Sequence, residues 1–511
     1  MNTFLNQMIK DNNITLTENH GITHKTTESK VLDMFAVGGA YRTRSDEDVI
    51  LLFKNAFEEN PLLAMKCLFW IRDARGGAGE RRFFRVAFKW LCKAHPSIAR
   101  KNLDNVSNYG RWDDLIYTTE GTPIEQDAFD VIKHQLALDV QCKTPSLLGK
   151  WMPSINASSS ETKRLGRKLA NYLGMTQRQY RKTLSVLRER INVLERLMSA
   201  GRWEDIVFDK IPSRAGIIYK NAFARRDIIA KKYEAFAKDT NTKVNAGVLY
   251  PYEVVAKAIQ YSRAANWWNK SVDFDNTDRL MINKYWLCLP DYLEGKDCSM
   301  MCVVDTSGSM TGSNASAPIN IAIGLGMYCA ERIGGPFKNH YISFSSKPQL
   351  ISIDGVDFVD KVQRIYRTNL CENTNLPAVF DLLLATAKRH GVKKSDIPKT
   401  IVVISDMEID SMSGGWDYRS KRSLNRWTEE STATEMEKIR KKWTAEGYEL
   451  PHLVYWNVDA RESHILDSGP NVTFVSGASP TIFKSVLTGK SAWDVMIDVL
   501  VNSGRYDSIM I

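Results

Sequence analysis

Long apolar runs are missing from this 511-residue chain. No stretch approaches the roughly 18 apolar residues a membrane helix needs, so no membrane span is expected. The opening Met1-Asn-Thr-Phe-Leu-Asn-Gln-Met8 has no basic stretch leading into an apolar core, and no signal peptide is expected. Cysteine is sparse: eight residues are scattered along the chain, and only Cys298 and Cys302 lie close together. This fits reduced thiols and a cytoplasmic location better than a disulfide framework. The eight histidines add no tightly spaced ligand pair, so zinc is not expected. A nucleotide loop is also lacking. Arg75-Gly-Gly-Ala-Gly-Glu-Arg81 is glycine-rich but does not have the G-x-x-x-x-G-K-[ST] spacing. It reads as a helix-to-helix turn, with Glu80 favouring the start of the next helix. With no nucleophile–base motif either, no catalysis is expected.

What is present is ordinary globular composition, 43% hydrophobic and 25% charged, which excludes a mainly disordered chain. The length argues for two to four domains at roughly 100–200 residues each. Positive charge is concentrated. Residues 151–250 carry 20 basic and 9 acidic side chains, a net of +11, against +10 for the whole chain. A local basic field attracts polyanions more than a diffuse one does, although a solvated helical surface would look the same.

Residues 1–30 are polar and without clear periodicity, and are expected to be a flexible or loosely docked terminus. Residues 31–290 read as a helical region. Tyr180, Leu184, Leu187, Ile191, Leu194 and Met198 form one amphipathic stripe, predicting a helix over 178–198. Upstream, Lys163 with Arg167 and Arg164 with Lys168 are like-charged i,i+4 pairs, an arrangement an anionic partner would relieve. Gly110-Arg-Trp-Asp-Asp-Leu115 is echoed 91 residues later by Gly201-Arg-Trp-Glu-Asp-Ile206. Two helical-hairpin repeats of roughly 40–47 residues span that distance, which suggests a HEAT-like solenoid with the two tryptophans in equivalent turns.

From residue 298 the texture changes. Apolar strands at 299–304, 340–345, 400–405, 453–456 and 472–475 alternate with helical stretches at 318–333, 377–390, 429–446 and 492–502, and a polar insertion spans 410–426. This is the pattern of a doubly wound, mainly parallel α/β sheet over 298–511.

Asp305-Thr-Ser307-Gly-Ser309 follows directly from the first of these strands. A carboxylate and two hydroxyls on one tight loop offer hard oxygen ligands of the kind Mg²⁺, or Mn²⁺, takes. Thr374, ahead of a helix, and Asp406, at the end of the 400–405 strand, add a hydroxyl and a second carboxylate at the same crevice. Taken singly, each could be a cap; the order and placement of all five favour a metal site.

With these residues in view, 298–511 resembles a von Willebrand factor A domain with a metal-ion-dependent adhesion site. The resemblance implies metal roles for Asp305, Ser307, Ser309, Thr374 and Asp406, although Asn375 stands where many members have Asp. It also implies a binding module whose open coordination position a partner's acidic residue can fill. Phe57-Glu-Glu-Asn-Pro-Leu-Leu through Arg72, Asp73 and the Arg75–Arg81 glycine run, with Lys150-Trp151-Met152-Pro153-Ser154, Tyr180-Arg181-Lys182, Leu184, Leu187-Arg188, Gly447-Tyr448, Pro451 and Trp456-Asn457, are similar to the motifs of a family of uncharacterised function found in plants and large phages. That family is similar in layout to the Ro, or TROVE-domain, ribonucleoproteins, which close a helical ring with an A-like domain and bind small or misfolded RNA.

The resemblance implies a cytoplasmic RNA-binding protein. The candidate contacts are Lys150, Lys163, Arg164, Arg167, Lys168, Arg178, Arg181, Lys182 and Arg188. The arginines 72, 75, 81, 82 and 85 form a further cationic group that an RNA backbone could use. Trp151 beside Lys150 and Tyr180 beside Arg181 pair a ring with cations, as single-strand binders do, although Tyr180 also sits on the apolar stripe. The alternatives are a protein adaptor that captures an acidic partner at the metal, a phage assembly component, or a metal-dependent hydrolase. The last would want more acidic ligands.

Overall fold

A computed structural model describes residues 12–19, 21–267, 276–294, 299–312, 314–344, 347–368, 375–409, 434–467, 469, 471–486 and 489–511. Helices fill the chain from Lys30–Val37 to Asn276–Leu287, with no strand assigned between 31 and 290 among the described residues. Local sequence starts many of them. Asn60 caps Pro61–Arg72, its side chain accepting from the Leu63 N–H at 3.0 Å, with Pro61 preset at the first helical position. Thr176 and Gln179 form a capping box at the start of Gln177–Arg190.

That helix is shorter than the stripe predicts. It stops at Arg190, and a second helix, Leu194–Ser199, continues the chain. Asn192 between them is left-handed at φ 51°, a conformation asparagine tolerates because its short amide can bond locally.

The second unit is a six-stranded sheet. Its strands are β3 (Met300–Asp305), β4 (His340–Phe344), β5 (Leu350–Ser352), β6 (Thr400–Ser405), β7 (His452–Asn457) and β8 (Val472–Ser476), in the order β5-β4-β3-β6-β7-β8. All neighbours are parallel except the edge pair β4–β5. Helices including Pro318–Arg332, Phe358–Thr368, Leu376–His390 and Glu435–Ala445 connect them. Every residue of β3 and β7 is buried, as expected of parallel strands covered on both faces. The 410–426 insertion lies outside the described residues.

The two units share one contiguous apolar core. Trp286 of the last helix of the helical unit stacks on Phe358 at 4.1 Å between ring centroids, and its indole N–H donates to Glu331 at 2.6 Å. Gly324 lets helix Pro318–Arg332 press against Pro251–Trp267. A Cβ at 324 would stand 2.8 Å from the Tyr252 backbone nitrogen.

The chain ends cross over. The described part of the N-terminal thirty residues is not a free tail. Strands β1 (Ile14–Leu16) and β2 (Ile22–His24) form an antiparallel hairpin on the α/β unit. Backbone bonds join His24 and Ile465, and the Thr17 and Thr23 hydroxyls donate to the Ile409 and Ile465 carbonyls. These polar side chains satisfy carbonyls of the α/β unit. At the other end, Arg505 and Tyr506 reach back to Asp73 of the helical unit.

The Gly-Arg-Trp echo falls in unlike settings, so the expectation of equivalent turns is corrected. Trp112 opens the helix Trp112–Thr119, whereas Trp203 opens a three-residue 3-10 turn. Gly110 sits at φ −115° and Gly201 at φ 72°. Asp114 is buried against Arg72 and Arg85, while Asp205 pairs with its exposed neighbour Arg202. The six residues alike in sequence meet different tertiary neighbours, and these decide the local geometry.

Candidate functional site

β3 and β6 are adjacent strands at the point where the sheet order reverses. After β3 the chain runs outward to β4 and β5 on one side, and β6 lies on the other. At such a point strand-end loops diverge, and open parallel sheets take ligands in the crevice between them. Asp305 ends β3 and Asp406 follows β6, and both are buried.

Asp305 is held from two sides. Its Oδ1 accepts from the Ser307 N–H at 2.9 Å, and its Oδ2 accepts from the Ser405 hydroxyl. The Ser307 and Ser309 hydroxyl oxygens are 3.1 Å apart. The Oδ1 of Asp406 accepts from the Glu408 N–H at 3.3 Å. Its Oδ2 is buried with no hydrogen-bond partner among the described residues, and the Arg461 guanidinium is 4.0 Å away. Met407, next in the chain, holds φ at 69°, a strained position for a side chain of its size. Burial, then the neighbouring Asp406 carboxylate, pushes the Asp305 carboxyl up to about 7.

Two buried carboxylates beside two hydroxyls, one carboxylate oxygen being unsatisfied, fit a hard divalent cation. Thr374 lies outside the described residues. Asn375 caps helix Leu376–His390, its side chain accepting from the Ala378 N–H at 2.9 Å. No group of three or more His, Cys, Asp or Glu side chains is placed to hold a metal among the described residues. A cation here would therefore depend on the serine hydroxyls.

The surroundings of this crevice come largely from residues distant in sequence. Glu408 turns inward, and burial pushes its carboxyl up to about 7 even though its Oε2 accepts from the Glu18 N–H at 2.7 Å. Its Oε1 lies 3.8 Å from Nδ1 of His464. Burial also lowers the imidazole of His464, whose Nε2 pairs with the Met407 carbonyl at 2.9 Å. Arg461, on the loop after β7, forms an ion pair with Glu18 at 2.7 Å. Nothing local in the sequence marks Arg461 or Glu18.

The basic candidates separate into two groups. Lys163 is half-buried, and Arg167, Arg178 and Lys182 are exposed; none of the four has a hydrogen-bond or ion-pair partner among the described residues. Exposed Arg181 reaches only the Asn156 amide oxygen, at 3.5 Å, and Lys150 lies over the Trp151 ring at 5.3 Å.

The others are engaged. Arg164 pairs with Glu120 at 2.5 Å, and Lys168 pairs with Glu125. Arg188 is an internal strut. It donates to the Gly149 and Met152 carbonyls at 2.8 and 3.0 Å and to the Ser154 hydroxyl at 3.0 Å. Tyr180 is a core residue, its hydroxyl donating to the Pro153 carbonyl at 3.0 Å. Trp151 carries the Arg111 guanidinium on its ring at 3.9 Å.

A cleft of about 680 Å³ opens between these helices, with Tyr117, Trp151, Ile155, Tyr180, Arg181 and Leu184 in its walls. The arginine group around the glycine run is largely neutralised: Arg72 and Arg85 bind Asp113 and Asp114, and Arg82 binds Asp46. Gly79, at φ 73°, makes the helix-to-helix turn expected there, and Glu80 caps the next helix.

No helix among the described residues is long and apolar enough to cross a membrane. The six described cysteines, 67, 92, 142, 288, 302 and 329, are free thiols.

Comparison with known proteins gives relatives without assigned activity. A domain of unknown function, DUF2828, matches residues 17–118 and 150–296, and a second, DUF7788, matches 299–503. The break between them falls just ahead of β3. "Uncharacterized protein L728" of Acanthamoeba polyphaga mimivirus is 28% identical over 527 residues, covering 94% of this chain and 85% of its own. Among solved structures, the Ro (RSR) protein of Deinococcus radiodurans aligns at 10% identity with a TM-score of 0.35, over 91% of this chain and 100% of the other. That likeness is too slight to transfer fold or function.

Proposed function

We propose that this is a non-catalytic RNA-binding protein of Ro-like type that holds the RNA backbone on consecutive helices Ser160–Tyr172 and Gln177–Arg190. The observation that carries this reading is the set Lys163, Arg167, Arg178 and Lys182, cations without a carboxylate partner among the described residues, in the segment that holds the chain's excess charge. A polyanion would supply the missing counter-charge. Arg181 and Lys150 flank the set, and Trp151 offers part of an aromatic wall in the adjoining cleft. In this reading Arg164 and Lys168 contribute less, because Glu120 and Glu125 compete for them.

The α/β unit is read as von Willebrand A-like, with Asp305, Ser307, Ser309, Thr374 and Asp406 holding Mg²⁺ or Mn²⁺. The switch-point crevice and the orphaned Asp406 Oδ2 support that reading. A bound ion would supply an open coordination position for an acidic group, while the chain's own residues fix the two carboxylates and screen them with serine hydroxyls. The same orphaned oxygen favours a second reading, in which an acidic partner protein is captured at the metal and RNA plays no part.

Filter binding of single-stranded and structured RNA across a salt series tests the proposal. With about five phosphate contacts the log–log slope should be near −3.5, at roughly 0.7 per contact. The variant Lys163→Glu/Arg167→Glu/Lys182→Glu should weaken binding to all sequences alike and flatten the slope. Wild-type-like binding by the triple variant, or no binding at low salt, overturns the RNA reading in favour of the adaptor.

A further inference from the structure

The cation crevice has a resident positive charge. Nη1 of Arg461 lies 4.0 Å from Oδ2 of Asp406, the oxygen without a hydrogen bond among the described residues, and 2.7 Å from Oε2 of Glu18. One guanidinium is thus shared between a carboxylate of the candidate metal site and a carboxylate of the N-terminal hairpin.

Both partners are built in. The loop carrying Arg461 is pinned from the helical unit: the Arg461 carbonyl accepts from Arg44, the Ala460 N–H donates to the Ala40 carbonyl at 3.1 Å, and Asp459 accepts from Thr43 at 3.2 Å. Glu18 is positioned by the same segment that carries Asp406. Its N–H donates to Glu408, the Asn19 amide donates to the Glu408 carbonyl at 2.8 Å, and Thr17 donates to the Ile409 carbonyl at 2.7 Å. Gly21 permits this close approach, since a Cβ there would stand 2.8 Å from the Ile409 carbonyl oxygen.

We propose that Arg461 competes with the divalent cation for Asp406 and that Glu18 restrains it, so that the N-terminal hairpin sets the metal affinity of the crevice. This rests on the metal reading above. A guanidinium beside Asp406 satisfies part of the negative charge a cation would need and opposes a second positive charge in the same space. The ion pair to Glu18 draws that guanidinium outward. Without Glu18, Arg461 is free to close on Asp406. Without Arg461, the cation meets no guanidinium at Asp406 among the described residues.

The geometry makes two substitutions act in opposite directions. Calorimetric titration of the full chain with Mg²⁺ and with Mn²⁺ reads them. Arg461→Gln should bind about tenfold more tightly than wild type, and Glu18→Gln several-fold more weakly, the order expected of a charge pair at about 4 Å whose exposed partner is screened nearly as in bulk water. The double variant should follow Arg461→Gln, because Glu18 acts only through the guanidinium. Arg461→Lys, which keeps the charge, should stay near wild type, separating charge from any loss of loop packing. Binding by Arg461→Gln alone, with none by wild type, would also support the competition. If wild type binds the ion and Arg461→Gln binds equally or more weakly, the competition is overturned while the metal reading stands. If neither wild type nor Arg461→Gln binds an ion, the metal reading falls and the competition falls with it.

Discussion

Arg72 closes on Asp114 inside the helical unit, with Nη2 and Nε donating to one carboxylate oxygen at 2.7 and 2.8 Å and both side chains almost fully buried. The other oxygen accepts from Arg85 at 2.6 Å, and the Arg111 N–H adds a fourth bond at 3.0 Å. Asp114 ties three stretches of chain together. Asp114→Ala should cost about 3–5 kcal/mol, because it leaves a buried guanidinium uncompensated. Urea denaturation checks this, and a loss below about 1 kcal/mol would show the cluster to be peripheral.

The same carboxyl gives a pH signature. Burial pushes it up, but Arg72 and Arg85 outweigh burial and hold it below the ordinary aspartate value. A group depressed in the folded state contributes stability that is present above its unfolded pKa and is lost as pH falls through the folded one. Wild type should therefore lose more stability than Asp114→Asn as pH drops below about 4. Parallel melting curves over that window would tell; identical slopes count against it.

Arg188→Ala should act on stability and not on RNA. Removing three hydrogen bonds from a charged donor that clamps the 149–154 segment should cost about 1.5–3 kcal/mol or more. The salt slope of RNA binding should be unchanged, in contrast to the Lys163/Arg167/Lys182 variant. A flattened slope would return Arg188 to the binding surface.

The C-terminal segment should behave as a structural clasp. The Tyr506 hydroxyl and the Arg505 guanidinium both donate to Asp73, Tyr109 donates to the Arg505 carbonyl, and Asn105 donates to the Ser508 carbonyl. Truncating the buried Tyr506 to Ala should cost about 3–5 kcal/mol. It should also speed limited proteolysis of the helical unit. Wild-type melting and digestion would show the segment to be an ornament.

Asp305→Ala with Asp406→Ala should abolish any gain in melting temperature from Mg²⁺ while leaving the fold in place, since both residues lie at strand ends. For wild type, the ion at 100 times its Kd should add about 2.7 kcal/mol. An equal response from wild type and the double variant would remove the metal from this crevice.

Much of the architecture was legible because it is written locally. Apolar runs at 299–304 and 400–405 and the helical texture before residue 290 are short-range patterns, and the structure has strands and helices there. Asp305 and Asp406 could be placed together because each sits at the end of such a run, and the winding rule for parallel sheets does the rest. Other features depend on long-range partners. The N-terminal threonines meet carbonyls at Ile409 and Ile465. The tryptophan echo breaks because Asp114 finds Arg72 and Arg85 while Asp205 finds its near neighbour Arg202. Arg188 is drawn inward by the Gly149 and Met152 carbonyls.

The sequence by itself determined the class of each half, the site of the change between them and the crevice carboxylates, because backbone propensity and hydrophobic period act over a few residues. Only the tertiary structure decided which arginines are bound and which have no partner among the described residues, and that the hairpin and the tail cross between the units. A guanidinium pairs with whatever carboxylate or carbonyl the fold brings within about 3 Å. For Arg461 that carboxylate belongs to Glu18, at the opposite end of the chain.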